Sequence, residues 1–290
     1  MSKVFLVTGS SRGLGREIVL AALAAGHRVA ATARRPEQLT DLVEQYGDRV
    51  LPIALDVADA EGAQRAVGAA VDAFGRLDVV VNNAGYANLA SVEDITAADF
   101  RAQLDTNLLG VVNVSKAALP VLRAQGSGHV IQVSSLGGRT ATPGLSAYQA
   151  AKWAVGGFSE VLAQEVAPLG IKVTVLEPGG MRTDWAGSSM AVPPISPPYQ
   201  PTVGALAAMF GSTDLQPAGD PVKVAQVVLQ VADLPEPPVR LLLGSDAVQY
   251  AALAAQTRAA EDAKWRDLSV STDHDTATAA DIDPLSEVRR

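Results

Sequence analysis

The sequence predicts an α/β fold: a doubly wound parallel sheet of about seven strands, with helices on both faces. Three observations carry this expectation. Short β-rich runs alternate with longer helical patterns along most of the chain. Most of those runs are continuously apolar rather than alternating, the pattern of strands buried on both faces. The first run leads directly into a glycine-rich turn and then a helical pattern, the strand–turn–helix unit that opens such sheets.

Strands are expected near residues 4–8, 28–33, 50–55, 78–82, 129–134, 171–176 and 239–243. Helices are expected over 14–25, 60–74, 96–124, 146–167 and 246–267. Right-handed crossovers place the C-terminal end of every strand along one edge, where ligands bind. Two segments break the alternation. Residues 185–220 are rich in Pro and Gly and hold Trp185, Met190, Tyr199, Met209 and Phe210, so they are expected as an insertion of the lid type. Residues 269–290 are polar, acidic and aperiodic, and are expected as a tail after a single domain of residues 1–268.

Composition narrows the function. The chain has 290 residues and a net charge of −8, with no evident basic face, so a nucleic-acid partner is not expected. It has no Cys, and its three His (His27, His129, His274) are scattered, so no metal site is expected. The N-terminus lacks the features of a signal peptide, and no apolar run is long enough to cross a bilayer. A cytoplasmic protein without a membrane partner is expected.

Residues 4–15 read Val-Phe-Leu-Val-Thr-Gly-Ser-Ser-Arg-Gly-Leu-Gly. Gly9, Gly13 and Gly15 permit a tight turn and close backbone approach. The helix that begins near Leu14 offers unpaired N–H groups and the positive end of its dipole to a pyrophosphate. Ser11, Arg12 and Leu14 complete the expected cradle. The spacing Thr8-Gly9-x-x-x-Gly13-x-Gly15 resembles the short-chain dehydrogenase/reductase family in its compact single-domain form, which has a Rossmann fold. An NAD site usually places an acid about twenty residues past the glycines. Ala33 stands there instead, followed by Arg34 and Arg35. Arginine forks suit a ribose 2′-phosphate, which an acid would repel. NADP is therefore expected ahead of NAD, with Arg34 the leading and Arg35 the weakest contact among Arg12, Arg34 and Arg35; the alternative is that Arg34 and Arg35 merely solvate a strand end.

The resemblance implies further cofactor contacts. Asp56-Val57 would flank the adenine, and Asp56 also suits a helix cap. Asn83, Ala84 and Gly85 would approach the ribose. Pro178, Gly179, Met181 and Thr183, in Glu177-Pro178-Gly179-Gly180-Met181-Arg182-Thr183, would hold the nicotinamide carboxamide. This last segment looks closest to the hydroxysteroid- and retinol-type branch.

Tyr148 and Lys152 lie four apart in Ser-Ala-Tyr-Gln-Ala-Ala-Lys and share one face of the helix expected there. Reduction of a carbonyl leaves an alkoxide that must be protonated, and a tyrosine of pKa about 10 is a poor proton shuttle at neutral pH. A nearby ammonium is expected to lower that pKa. Ser135 stands thirteen residues before Tyr148, the spacing of the family, and would orient the substrate oxygen. Ser134 is the alternative, but register and spacing favour Ser135. The resemblance gives Asn107 a structural water linking Lys152 to solvent, and Lys152 the cofactor ribose hydroxyls.

The expected function is hydride transfer between a nicotinamide and a carbonyl or secondary alcohol, with a fairly apolar small-molecule substrate in a pocket of medium to large size. Leu136, Tyr86, Leu145, Gly180 and the insertion are its candidate walls, although the insertion's apolar side chains would equally serve only to anchor it. The resemblance implies a homodimer paired through the helices of 96–124 and 146–167. The 246–267 helix either covers a sheet edge or builds a tetramer. A cofactor-binding regulatory protein and an epimerase or dehydratase are the alternatives. The presence of Ser135, Tyr148 and Lys152 together disfavours the former.

Overall fold

A computed structural model describes residues 2–183, 190–212 and 216–283. The strands are β1 (Val4–Val7), β2 (Arg28–Ala33), β3 (Val50–Ala54), β4 (Val79–Asn82), β5 (Ala87–Asn88), β6 (Gly128–Val133), β7 (Ile171–Pro178), β8 (Met190–Ala191) and β9 (Arg240–Leu243). Seven of them form one parallel sheet in the order β3-β2-β1-β4-β6-β7-β9. This is the doubly wound arrangement that the alternation of elements predicts.

The apolar runs work as two interleaved sets. Phe5 and Val7 of β1 point into one core with helices α1 (Gly13–Ala24), α2 (Thr40–Tyr46) and α8 (Pro221–Asp233). Val4 and Leu6 point into a second core with α3 (Ala60–Phe74), α5 (Gly110–Gln125) and α6 (Ser146–Val166). Successive residues of a strand face opposite ways, so a strand covered on both sides needs apolar residues at every position. All four residues of β1 have no exposed surface.

Two expectations are corrected. The helix expected over 96–124 is interrupted: α4 (Ala97–Leu104) passes into a π-helical turn, Asp105–Leu109, before α5 begins. Such turns widen the backbone by one residue and are common at functional sites. Here the turn carries Asn107. The insertion is also less irregular than its Pro and Gly content suggests. Within 190–212 it holds β8, a 3₁₀ turn at Pro197–Tyr199, a π turn at Gln200–Gly204 and α7 (Ala205–Gly211). β8 pairs in parallel with β5, a two-residue ladder too short to leave a sequence pattern. Trp185 lies outside the described residues.

The chain divides into two compact units, residues 1–250 and 251–290. Helix α9 (Ser245–Val270) begins in the first, and the second holds the rest of it and α10 (Ala279–Ile282). The helix thus runs past its expected end at 267. Among the described residues no helix is long and apolar enough to cross a membrane.

Candidate active site

The glycine turn follows β1 at the C-terminal edge of the sheet. Gly9 (φ 68°) and Gly13 (φ 55°) take left-handed conformations that favour glycine. A Cβ on Gly9 would stand 2.9 Å from the Ala84 Cα, and one on Gly15 only 2.3 Å from the Gly9 carbonyl oxygen. The turn is braced by Asn83, whose Nδ2 donates to the Thr8 and Gly9 carbonyls at 3.0 and 3.2 Å. Thr8 returns the brace, its Oγ1 accepting from the Asn83 and Ala84 N–H groups at 3.0 Å each. The result is a turn whose three glycines leave the backbone uncovered as it runs into the N-terminus of α1, which suits a pyrophosphate. Ser11 is half-buried, Arg12 exposed and Leu14 buried there.

On one side of this turn, Arg34 and Asp56 line a recess of about 360 Å³ with Asp59, Gly62 and Arg65. Arg35 is exposed. Val57 is buried, with Gly110 of α5 so close that a Cβ there would stand 2.5 Å from its Cγ2. On the other side, the segment after β7 comes in. The Thr183 Cβ lies 3.9 Å from the position a Cβ would take on Gly13. Pro178 is buried at the end of β7, and Met181 is half-buried against the α1 core.

Ser135, Tyr148, Lys152 and Asn107 converge beyond β4 and β6. Ser135 follows β6, and its Oγ accepts from the Gly137 N–H at 3.0 Å, leaving its own proton to donate. Tyr148 and Lys152 stand one turn apart on α6, both buried. Lys152 Nζ donates to the Val133 carbonyl at 2.8 Å and lies 5.6 Å from the centre of the Tyr148 ring. Asn107, fully buried, clamps the Tyr86 backbone: its Nδ2 donates to the carbonyl at 2.8 Å and its Oδ1 accepts from the N–H at 3.0 Å. Gly85 fits between these groups, since a Cβ on it would stand 2.9 Å from Asn107 Oδ1 and 3.7 Å from Lys152 Nζ.

Tyr148 belongs to a small apolar cluster with Leu89, Leu145, Met190 and Val203, against which Tyr199, Leu206 and Phe210 pack. Burial therefore pushes the Tyr148 phenol up to about 12, with a hydrogen bond from Ser135 pulling the other way. Burial lowers the Lys152 ammonium to about 8. The lowering of the Tyr148 pKa expected from Lys152 is not found: burial raises it, since desolvation disfavours the charged form of each group.

Three groups that matter to this geometry are not among the site residues expected from the sequence. Thr8 opens the glycine spacing, but its role is seen only in its hydrogen bonds. Asp246, in the first turn of α9, accepts from the Gly180 N–H at 2.8 Å, and its carboxylate fills the space that a Cβ on Gly179 would take. Glu177 sits fully buried between Arg139 and Arg240. An acid directly before Pro-Gly at a strand end was its one available signal. Among the described residues, no group of His, Cys, Asp and Glu is arranged to hold a metal ion.

The chain matches the family described as short chain dehydrogenase over residues 3–192, which takes in the glycine turn, Ser135, Tyr148 and Lys152. The chain belongs to this family. It is 60% identical over 273 residues to Oxidoreductase BOA17 of Botryotinia fuckeliana (strain B05.10), covering 94% of this chain and all of the relative. It is similar to the crystal structure of a short-chain dehydrogenase from Streptomyces avermitilis, with a TM-score of 0.89 and 40% identity, covering 94% of this chain and all of the other. A short chain dehydrogenase from Burkholderia cenocepacia J2315, solved in complex with NADP, aligns with a TM-score of 0.72 at 26% identity, covering 91% of this chain and 97% of that one. This short-chain dehydrogenase is accordingly an oxidoreductase acting on a small-molecule substrate.

Proposed function

We propose that this short-chain dehydrogenase is an NADP-dependent enzyme interconverting a carbonyl and a secondary alcohol, with Tyr148 as the acid/base. The observation that carries the reading is the convergence of half-buried Ser135 with the buried Tyr148 and Lys152 beside a glycine turn shaped for a pyrophosphate. A bound nicotinamide would supply or accept the hydride at the substrate carbon. Ser135 donates to the substrate oxygen and orients it. Tyr148, whose raised pKa keeps it protonated at neutral pH, gives its proton to the oxygen as negative charge develops there. Lys152 supplies the cation nearest the phenolate that remains, and binds the cofactor ribose. Asn107 holds the Tyr86 backbone and through a water links Lys152 to solvent. Pro178, Gly179, Met181 and Thr183 hold the carboxamide.

The NADP preference is supported by Arg34 at the rim of the recess that also holds Asp56, with no acid at Ala33. The NADP-bound relative from Burkholderia supports it as well. The substrate is fairly apolar, because residues 190–212 cover Tyr148 with aliphatic and aromatic side chains and so act as a lid. Residues 1–268 act as one catalytic domain followed by a tail. The protein is cytoplasmic and works as a homodimer. A groove of about 560 Å³ along α4, lined by Val92, Ile95, Phe100, Leu104 and Leu108, supports pairing on that face. A panel of apolar ketones and secondary alcohols, followed by NADPH and NADH absorbance, tests the reading. Turnover of ketones with NADPH is expected, and a panel on which neither cofactor is consumed overturns it.

A further inference from the structure

Glu177 has no exposed surface, yet it carries a charge between two arginines. Its Oε2 accepts from Arg139 Nε at 2.7 Å, with Arg139 Nη2 at 2.6 Å. Its Oε1 accepts from Arg240 Nε at 3.1 Å and from Arg240 Nη2. Each carboxylate oxygen is thus held by one guanidinium fork, the geometry in which a buried charge is tolerated. Arg240 also donates to Glu160 of α6 at 2.9 Å. Space for it is made by Gly156, where a Cβ would stand 3.0 Å from Arg240 Nη2.

The three arms of this cluster lead to three separate parts of the site. Arg139 closes the short turn that begins at Ser135, in which Gly138 N–H donates to the Ser135 carbonyl at 2.9 Å and Arg139 N–H to that of Leu136 at 2.8 Å. Glu177 directly precedes Pro178 and Gly179. Arg240 and Glu160 fasten α6, two turns beyond Lys152. A neutral apolar packing would satisfy the fold at this point, and replacing buried ion pairs by such packing is often neutral for stability. A fork-to-carboxylate contact instead fixes direction as well as distance.

We infer that Glu177, through Arg139, is a positioning residue that sets the Ser135 hydroxyl against the Tyr148 phenol, with Arg240 as its second anchor. This rests on the Tyr148 and Ser135 roles proposed above. In apolar terms the turn would still fold without it, but the Ser135 oxygen would wander by enough to weaken the proton-transfer geometry.

A double-mutant cycle tests this. The turnover of the reductive reaction, the affinity for NADPH by fluorescence, and the melting temperature are measured for wild type, Arg139→Gln, Ser135→Ala and the double variant. Arg139→Gln is expected to lower kcat at least tenfold while leaving the NADPH Kd within twofold. In the Ser135→Ala background the same change is expected to cost less than twofold. Arg139→Lys, which keeps the charge and loses the fork, is expected to fall between. If Arg139→Gln multiplies the loss from Ser135→Ala by the same factor as in wild type, or lowers only the melting temperature, the positioning role is overturned and the proposed function stands. A fully active Ser135→Ala overturns both. Glu177→Gln gives a second route to the cluster. Should it fail to fold, the Arg139 variants still decide, because that side chain is 32% exposed and Arg139→Lys keeps the charge against Glu177.

Discussion

Lys152 holds its ammonium 5.6 Å from the centre of the Tyr148 ring and spends a hydrogen bond on the Val133 carbonyl at 2.8 Å. The ammonium thus faces the ring of the phenol while its hydrogen bond goes to the backbone of β6. Burial shifts each group toward its neutral form, so at neutral pH the phenol keeps its proton and gives it up only to a strong base such as a nascent alkoxide, whereas Lys152, lowered only to about 8, is still an ammonium.

Removing that phenol isolates its part. Tyr148→Phe keeps the ring in the Leu89–Leu145–Met190 cluster and deletes the proton. Turnover is expected to fall by about 100- to 10,000-fold, the usual contribution of a positioned acid, with the NADPH Kd unchanged. Retained turnover would remove Tyr148 from the mechanism.

The pH dependence of reduction follows from Lys152. Its pKa is lowered to about 8, so the ammonium is present below that pH and lost as pH rises through it. Tyr148 stays protonated well above this, at about 12. The rate of reduction is therefore expected to decline above pH of about 8, and this limb is expected to disappear in the residual activity of Lys152→Arg. A limb that persists there belongs to another group.

Arg34 is the test of cofactor choice. Arg34→Asp puts an acid beside the recess shared with Asp56, which would repel a 2′-phosphate. Losing one charge-assisted pair of about 1.5–3 kcal/mol corresponds to a weakening of NADPH binding of roughly ten- to a hundredfold. NADH binding is expected to change far less. Equal losses for both cofactors would show that Arg34 serves the turn and not the phosphate.

A structural titration is expected from His129. Its Nε2 lies 3.0 Å from Thr174 Oγ1, its buried Nδ1 has no hydrogen-bond partner among the described residues, and burial lowers its pKa to about 3. The unfolded chain takes up a proton near pH 6.5 that the folded one refuses, so stability falls as pH drops from about 6.5 toward about 3. The slope from this group is about 1.4 kcal/mol per pH unit inside that window. Urea midpoints at pH 7 and pH 5 are expected to converge in His129→Asn relative to wild type. An unchanged difference would assign the acid sensitivity to His27 or to the carboxylates.

Much of this was legible because it is local. Strand positions, the turn with Gly9, Gly13 and Gly15, and the pairing of Tyr148 with Lys152 each depend on a few consecutive residues, so apolar continuity and spacing reveal them. The turn at Asp105–Leu109 was not, because its composition, Asp-Thr-Asn-Leu-Leu, is compatible with an ordinary helix, and only the clamp of Asn107 on the Tyr86 backbone accompanies the extra residue. The order inside residues 190–212 was hidden for a similar reason: Pro and Gly content reports local backbone preference, whereas Met190, Val203 and Phe210 are ordered by the cluster they join around Tyr148.

The chain's own pattern thus settled the sheet, its two buried faces and the family, since a strand covered on both sides admits few alternatives to Val, Leu, Ile and Ala. Packing decided the rest. Whether Tyr148 is acidic or basic depends on who excludes water from it, and those residues arrive from positions 89, 145, 190 and 203. Whether Glu177 can remain charged depends on Arg139 and Arg240 meeting it from 38 residues before and 63 after. Desolvation and charge pairing are properties of neighbours in space, and no window of sequence contains those neighbours together.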